Sequence, residues 1–304
     1  METIKLNVKN LNSKYSIIIG KNILKSVPVQ IKLICPNAKK IGLVVDKKIP
    51  KKFVYKLKTY LNKYDVHLFQ YSVNENFKSF KNVNKLVEKC LINNFNRNDI
   101  LISFGGGIIG DLGGFAASII KRGINFINIP TTLLAQVDSS VGGKTGVNSK
   151  FGKNLIGTFY QPKLVVSDVA ILKSLPQREL ICGYAEILKH SLILKNNFFN
   201  WLCENSNLLL VDRDLSLLQQ AIIKSCRVKI FFVNKDVHEK NVRMILNFGH
   251  TFAHAIELQN KYSKKINHGE AVIMGMMMAV KLSYYKGICS LKTLEQLKKI
   301  YKSN

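Results

Sequence analysis

Residues 99–123 read DILISFGGGIIGDLGGFAASIIKRG, a short apolar run followed by a glycine-rich turn and an apolar segment of helical length. Gly105, Gly107 and Gly110 have the G-x-G-x-x-G spacing that lets a backbone approach a pyrophosphate where a helix begins. The pattern alone is weak, because a glycine-rich turn also serves tight packing. Its place directly after a predicted strand favours dinucleotide binding.

One element of the usual dinucleotide-binding pattern is missing from this stretch. An acid that binds the ribose hydroxyl is expected about twenty residues after the glycines, and the chain has FINIP there, at 126–130. If a nicotinamide nucleotide binds, another carboxylate must serve. Asp46, which ends the apolar run KIGLVVD, is well placed to do so.

Outward from this stretch, the first half of the chain alternates strand-like and helix-like segments. Segments 51–63 and 79–95 have helical length. Apolar runs bounded by polar or turn residues predict strands at 4–8, 15–20, 40–46, 66–71, 99–104 and 125–130. This rhythm is typical of a parallel sheet covered on both faces.

From about residue 171 onward, nearly every segment has helical spacing. The sequence therefore predicts an α/β Rossmann-like domain with a parallel sheet over residues 1–170 and a mainly α-helical domain over 171–304. No Pro/Gly-rich linker separates the two halves, so we expect the boundary to lie in a packed cleft. Clefts of this kind often hold small-molecule sites.

The composition is that of a globular protein without export or membrane segments. The chain has 304 residues, 47% of them hydrophobic, which is enough for a well-buried core. Its longest apolar stretch, AVIMGMMMAV, is about half the length of a bilayer span, and no secretory leader is evident. The six cysteines lack C-x-x-C spacing, which favours reduced thiols. We expect a cytoplasmic protein that does not contact a membrane.

The formal net charge of +27 raises the question of nucleic-acid binding. The basic residues are overwhelmingly lysine, with only six arginines, and lysine accompanies abundant Asn, Ile, Phe and Tyr. This bias is typical of A/T-rich codon use. Since no aromatic and arginine-rich module is present, we expect no nucleic-acid partner.

The densest polar and glycine-rich segment covers residues 130–157. Its charged and amide side chains, Asp138, Lys144, Lys153 and Asn154, lie among glycines that permit close approach of a ligand. Such charges along an irregular loop are poor material for a core. We therefore favour an anionic substrate over a merely solvated loop.

NFGHTFAHAIE, residues 247–257, places His250 and His254 four apart, on one face of a helix. The alternative is that they are core histidines with one satisfied hydrogen bond. GYAEILKHSLI contains Glu186 three residues before Lys189, where a surface ion pair is the alternative. A carboxylate in such an apolar segment favours a cation or metal as its partner.

Two further segments extend this set of candidates. NVRMILNFGH contains Arg243 and Asn247 at helical spacing from His250, and NHGEAV contains His268. Glu186, His250 and His268 would make a three-ligand metal site with an open position. An open position indicates catalysis more than structure.

These motifs resemble those of the 3-dehydroquinate synthase family of sugar phosphate cyclases. The similarity runs from about residue 40 to about residue 287. It includes NENFKS, GGGIIGDLGGFAA, RGINFINIPTTLLAQVDSSVGGKTGVN, GKNLIGTFYQP, GYAEILKH, RMILNFGHTFAHAIE and NHGEAVIMGM. So many motifs, in family order and near family spacing, are highly specific.

The resemblance implies NAD, a divalent metal ion (zinc or cobalt) and a homodimer. The implied metal ligands are Glu186, His250 and His268. The residues that match NAD contacts are Asp46, Glu75, Lys78, Gly106, Gly107, Asp111, Thr131, Thr132, Lys144, Lys153, Ser174 and Glu179. Those that match the substrate pocket are Asp138, Lys144, Lys153, Asn154, Lys189, Lys229, Arg243, Asn247 and His254. Arg122 resembles an arginine that the family lends across the dimer interface.

The implied reaction converts 3-deoxy-D-arabino-heptulosonate 7-phosphate into 3-dehydroquinate and phosphate, a lyase step of the shikimate pathway to chorismate and the aromatic amino acids. Transient oxidation by NAD would precede phosphate elimination, re-reduction and aldol cyclisation, so NAD is recycled. Two alternatives share this architecture. One is an alcohol dehydrogenase of the glycerol-dehydrogenase type, which would release NADH, and the other is a cyclase for a different sugar phosphate.

The carboxyl end departs from the family. Family members continue for some tens of residues beyond SYYKGICS, through a lysine-containing segment that closes over the phosphate, whereas this chain is shortened and ends with LKTLEQLKKIYKSN. Lys298, Lys299 and Lys302 are candidates to replace that lysine. We expect the shortening to affect closure of the site and the rate more than the identity of the reaction.

Overall fold

The computed structural model describes residues 2–10, 13–194, 197–260 and 265–303, and the side chain of Lys302 lies outside the described residues. The chain divides into two units, Met1–Ser174 and Leu175–Asn304. No described helix is long and apolar enough to cross a membrane. The six cysteines, all of them described, are free thiols.

The first unit contains a sheet of mostly parallel strands and a separate pair of antiparallel strands. These are β1 (Ile4–Asn10), β2 (Ser13–Gly20), β3 (Lys40–Asp46), β4 (Asp65–Tyr71), β5 (Ile100–Gly105), β6 (Asn125–Pro130), β7 (Lys144–Ser149), β8 (Gly152–Phe159) and β9 (Leu164–Asp168). Seven of them form one sheet in the order β1-β2-β9-β6-β5-β3-β4, while β7 and β8 pair separately. Only β1 runs antiparallel to its neighbour in the large sheet. The expected parallel-dominated sheet is confirmed.

Both faces of the large sheet are covered by helices, namely α1 (Val27–Ile34), α2 (Lys51–Tyr60), α3 (Phe80–Ile92) and α4 (Gly107–Ile119). Successive side chains of a strand point to opposite faces. Leu43 therefore lies in one buried cluster with Leu57 of α2, and Val44 lies in a second with Leu86 of α3 and Leu112 of α4. This two-sided burial explains why the central strands are continuous apolar runs.

Residues 130–157, predicted as an irregular loop, include the strand β7 and most of β8, so that prediction was wrong over these two strands. A π-helical turn at Ala135–Ser139 precedes an antiparallel hairpin in which Gly146 pairs with Gly157. A Cβ on Gly157 would lie 2.1 Å from the Thr145 carbonyl oxygen, so the two backbones approach too closely for a side chain. β8 is exposed along nearly its whole length. Without an apolar face it has no alternation to reveal a strand.

The second unit is helical, as expected. Its helices are α5 (Gln177–Ile193), α6 (Phe198–Leu210), α7 (Leu215–Lys235), α8 (His250–Gln259), α9 (His268–Tyr285) and α10 (Leu291–Ser303). Two of these helices begin with side-chain caps of their N-termini. The Asp214 carboxylate accepts hydrogen bonds from the backbone N–H groups of Ser216 and Leu217 at the start of α7. Asn267 and Glu270 form a capping box at the start of α9.

Candidate active site

Three potential metal ligands lie together in the second unit. Glu186 of α5, His250 of α8 and His268 of α9 offer ligand atoms that all lie within 4.8 Å of one another. Glu186 Oε1 is 3.8 Å from His250 Nε2 and 4.0 Å from His268 Nε2. Two ligand bonds of about 2 Å can span these separations, and one carboxylate with two imidazoles is a donor set of catalytic zinc sites. The residues present therefore fit a divalent ion.

The Glu186 carboxylate is divided between two kinds of partner. Lys189 Nζ donates to its Oε2 atom, whereas Oε1 faces the two histidines. Glu186 is 1% exposed and Lys189 is 2% exposed, so the pair is buried and the alternative of a surface ion pair is wrong. Buried charges persist only when they are paired. The pairing leaves one carboxylate oxygen directed at the histidines.

A glycine contact sets the approach of the two helices that carry the histidines. Gly249, directly before His250, has a φ of +79°, which favours glycine. A Cβ on Gly275 of α9 would lie 2.2 Å from the Gly249 carbonyl oxygen and 2.9 Å from the Ala253 nitrogen. Because neither position has a side chain, α8 and α9 meet backbone to backbone. The rings of His250 and His268 consequently lie 5.5 Å apart between centroids.

The start of α9, where His268 lies, is held from both sides. Within the capping box, the Asn267 N–H donates to Glu270 Oε2 at 2.8 Å and the Glu270 N–H donates to Asn267 Oδ1 at 2.8 Å. Arg178 of α5 donates two hydrogen bonds to the Glu270 carboxylate, with Nε 2.7 Å from Oε1 and Nη2 2.8 Å from Oε2. Such bidentate pairing is geometrically specific. It fixes the helix turn that presents His268.

Glu257 of α8 lies beside the other ring nitrogen of His268 and orients the ring. Its Oε1 is 3.4 Å from His268 Nδ1, and Glu257 is 8% exposed. Burial would lower the pKa of His268, but the carboxylates of Glu257 and Glu186 raise it above its ordinary value. Burial and then Lys189 lower the pKa of His250, which favours its neutral, ligand-competent form. Glu257 was not predicted, although it lies two helical turns after His250.

A second group of predicted residues lies around an unpredicted carboxylate, Glu239. Asn247 Nδ2 donates to Glu239 Oε1 at 2.9 Å, and Arg243 Nε is 3.7 Å from Oε2. Arg243 is 1% exposed and donates from Nη1 to the Val237 carbonyl at 2.5 Å. Asp236 accepts the backbone N–H of Arg243 at 3.2 Å. The guanidinium is therefore preorganised.

Two more predicted residues of this unit lie on α7 and α8. Lys229 is 5% exposed within α7. The His254 ring lies edge-on to that of His250, with centroids 5.6 Å apart. The helical spacing thus brings His254 beside the three-residue cluster, as the sequence predicts for positions four apart.

In the first unit, predicted dinucleotide-binding residues follow the ends of adjacent strands. Asp46 ends β3, Gly106 and Gly107 follow β5, and Thr131 and Thr132 follow β6. These three strands are neighbours in the sheet, so the residues lie along one edge. The N–H groups that begin α4 lie at this edge too and favour an anion there. Burial raises the pKa of the Asp46 carboxyl.

Lys78 connects two further predicted residues. It is 6% exposed, and its Nζ donates to Asp111 Oδ2 at 2.5 Å and to Asn154 Oδ1. Glu75 lies in the preceding turn, where its Oε1 accepts from Asn148 Nδ2 at 2.7 Å. Asn148 was not predicted, although it belongs to the quoted motif GGKTGVN.

The remaining predicted residues of the first unit, and Glu179 of the second, are placed individually. Asp138 lies in the π-helical turn, Lys144 begins β7 and Lys153 is exposed on β8. Arg122 is exposed, with a φ of +64°. Ser174 Oγ donates to the Ile171 carbonyl at 2.8 Å, and Glu179 lies exposed in the first turn of α5.

Comparisons with known proteins bear directly on these arrangements. Residues 68–182 match the profile of the 3-dehydroquinate synthase N-terminal domain, and residues 183–304 match that of the C-terminal domain. The chain belongs to the 3-dehydroquinate synthase family. The resemblance carried by the motifs is thus confirmed, and as a member of the 3-dehydroquinate synthase family the chain is an enzyme.

Individual relatives extend the match over most of the chain. A 3-dehydroquinate synthase from Pelagibacter ubique is 51% identical over 97% of this chain and 80% of its own length. One from Bartonella bacilliformis is 42% identical over 93% of this chain and 76% of its own length. A crystal structure of 2-deoxy-scyllo-inosose synthase complexed with carbaglucose-6-phosphate, NAD+ and Co2+ has a TM-score of 0.89 at 28% identity, covering 98% of this chain and 80% of that one.

Proposed function

We propose that this chain is a 3-dehydroquinate synthase. It would convert 3-deoxy-D-arabino-heptulosonate 7-phosphate into 3-dehydroquinate and phosphate, which makes it a carbon–oxygen lyase. The observation that carries the proposal is the cluster of Glu186, His250 and His268, which lies on three helices of a chain that belongs to this family. A cytoplasmic homodimer is part of the same proposal.

Glu186, His250 and His268 would hold a zinc or cobalt ion. When bound, the ion supplies Lewis-acid polarisation of substrate hydroxyl oxygens. The chain's own contribution is to orient the ligands: Lys189 holds the far oxygen of Glu186, and Glu257 fixes which nitrogen of His268 faces the cluster. Co2+ in the inosose synthase complex supports this assignment.

The strand-end residues of the first unit would hold NAD. NAD, when bound there, would supply reversible hydride-transfer chemistry. Asp46 would bind ribose hydroxyls, and the N–H groups near Gly106 and Gly107 would bind the pyrophosphate. The other proposed NAD contacts are Glu75, Lys78, Asp111, Thr131, Thr132, Lys144, Lys153, Ser174 and Glu179.

The positively charged candidates would bind the two anionic ends of the substrate. Arg243, held by Glu239 and the Val237 carbonyl, has the fork geometry for a carboxylate, with Lys229 as its partner in that role. The residues proposed for the phosphate end are Lys144, Lys153, Asn154, His254 and Arg122, the last lent by a second copy. Asp138, Lys189 and Asn247 complete the set. These groups would act mainly by orienting the substrate for elimination and ring closure.

The direct test is phosphate release from the heptulosonate 7-phosphate by the purified chain with NAD+ and Zn2+ or Co2+. The absorbance of free NADH is followed in the same sample. Phosphate and dehydroquinate without net NADH would support the proposal. Steady accumulation of NADH from a polyol would indicate a dehydrogenase of the glycerol type. Inertness toward this substrate, with turnover of another sugar phosphate, would indicate a different cyclase.

A further inference from the structure

Asn148 lies between residues proposed to bind NAD and a residue proposed to bind the substrate. It lies near the end of β7, where its backbone N–H donates to the Lys78 carbonyl at 2.9 Å. The same residue bridges to Ser79 in parallel fashion. The main chain of β7 is thereby tied to the turn that carries Glu75 and Lys78.

Both halves of the Asn148 side-chain amide are used. Nδ2 donates to Glu75 Oε1 at 2.7 Å, and Oδ1 accepts the Asn154 N–H at 2.9 Å. An amide offers a donor and an acceptor on separate atoms, so it can serve both partners at once. A carboxylate at 148 would face Glu75 with a like charge and would lose the donor.

The hydrogen bond to Asn154 supports an uncommon backbone conformation. Asn154 has a φ of +59°, in the left-handed region that few non-glycine residues adopt and in which Asn is enriched. In this conformation its Oδ1 meets Lys78 Nζ, which also binds Asp111. Glu75, Asn148, Asn154, Lys78 and Asp111 thus form one continuous hydrogen-bonded network, in which Asn148 reaches Asn154 through the Asn154 backbone N–H.

We infer that Asn148 is a positioning residue that couples NAD binding to substrate binding within this chain of contacts. It holds Glu75 for the cofactor and Asn154 for the substrate, so each ligand would order the contacts of the other. The inference rests on the proposed function, in which Glu75, Lys78 and Asp111 contact NAD and Asn154 contacts the substrate.

The test compares three variants of the full chain. Asn148→Asp keeps the side-chain shape and the acceptor for Asn154, but it places a carboxylate against Glu75. Adding Glu75→Gln to it restores a donor for the new carboxylate. Asn93→Asp is the matched control, because Asn93 also donates one amide hydrogen bond, to the Lys89 carbonyl at 2.7 Å, and lies outside the network.

Four quantities are measured: the Kd of NAD by calorimetry, the KM and the kcat for the heptulosonate 7-phosphate at saturating NAD, and the Tm. We expect Asn148→Asp to raise both the NAD Kd and the KM about tenfold, as loss of a charged hydrogen bond does. In the double variant the KM should return to within about threefold of the wild type. Its NAD Kd should stay high, because the Glu75 carboxylate is gone.

A lower Tm in Asn148→Asp with unchanged NAD Kd and KM would overturn the inference, since a merely structural role predicts that result. So would a double variant as impaired in KM as the single one. If Asn148→Asp does not fold, Asn148→Ser replaces it, with both constants expected to rise about threefold through loss of neutral contacts. The calorimetric measurement needs no turnover. Absence of phosphate release by the wild type would therefore contradict the proposed function alone.

Discussion

Glu257→Gln is the sharpest test of how the proposed metal site of Glu186, His250 and His268 is built. The substitution keeps the size of the side chain and one acceptor oxygen, and it removes the negative charge 3.4 Å from His268 Nδ1. A carboxylate at this place fixes the imidazole tautomer and makes the other nitrogen a stronger ligand. We expect the variant to fold normally and to bind Zn2+ or Co2+ more weakly.

The exposure of Glu257 and His268 sets the expected loss of metal affinity. Loss of a partner of this kind typically lowers metal affinity about 10–100-fold. Glu257 is 8% exposed, but the His268 side chain is 37% exposed, so solvent screens part of the interaction. We therefore expect the lower part of that range, about tenfold, which corresponds to about 1.4 kcal/mol.

The assay is competition for Co2+ against a chelator of known affinity, with the Tm of the metal-free protein measured in parallel. Glu295→Gln is the control, because Glu295 pairs with Lys298 in an exposed i,i+3 pair on α10. Its metal affinity should equal that of the wild type. Equal affinity in Glu257→Gln and the wild type would refute the orienting role.

Three other outcomes are expected. Glu186→Ala or His250→Ala should abolish turnover with loss of bound metal, whereas Lys144→Ala should lower turnover with metal retained. Metal analysis of the purified variants distinguishes these two outcomes. Full activity in any of the three variants would contradict the role proposed for the substituted residue. Gly275→Ala puts a Cβ 2.2 Å from the Gly249 carbonyl oxygen. We therefore expect a loss of about 2 kcal/mol in the free energy of unfolding and weaker metal binding. An unchanged Tm would be inconsistent with the close contact. Burial alone would raise the pKa of the Asp236 carboxyl, but backbone N–H groups that donate to it lower the pKa below 3.8. The ionised carboxylate therefore stabilises the folded state above that value, and this contribution is lost as pH falls through the lowered pKa. The Tm difference between wild type and Asp236→Asn should thus be largest near neutral pH and disappear in strong acid, and a constant difference would argue against it.

Periodicity and turn chemistry were enough to predict the central strands and the helices of the second unit. β3 and β6 have the predicted bounds because their buried apolar runs end at polar or turn residues. α5 and α7 extend over segments with sustained helical spacing. Local sequence determines these elements because a helix or a buried strand must present its apolar residues at a fixed period.

Side-chain chemistry along the chain was also enough to propose Glu186, His250 and His268 as a group, and the structure brings them together. That chemistry could not show that Glu186 gives one oxygen to Lys189 and the other to the histidines. Nor could it find the hairpin of β7 and β8, because an exposed strand has no apolar face to mark it.

Glu257 and Asn148 illustrate what only the tertiary structure decided. In sequence they are an acid near a helix end and an amide in a glycine-rich segment, both of which are ordinarily solvated. Packing of α8 against α9 brings Glu257 to His268, and pairing of β7 beside the Glu75 turn gives Asn148 both of its partners. The sequence determined which side chains are candidates to bind a metal, a nucleotide and an anion. The tertiary structure decided which of them meet and what holds them, because those contacts join residues far apart along the chain and depend on how closely backbones approach.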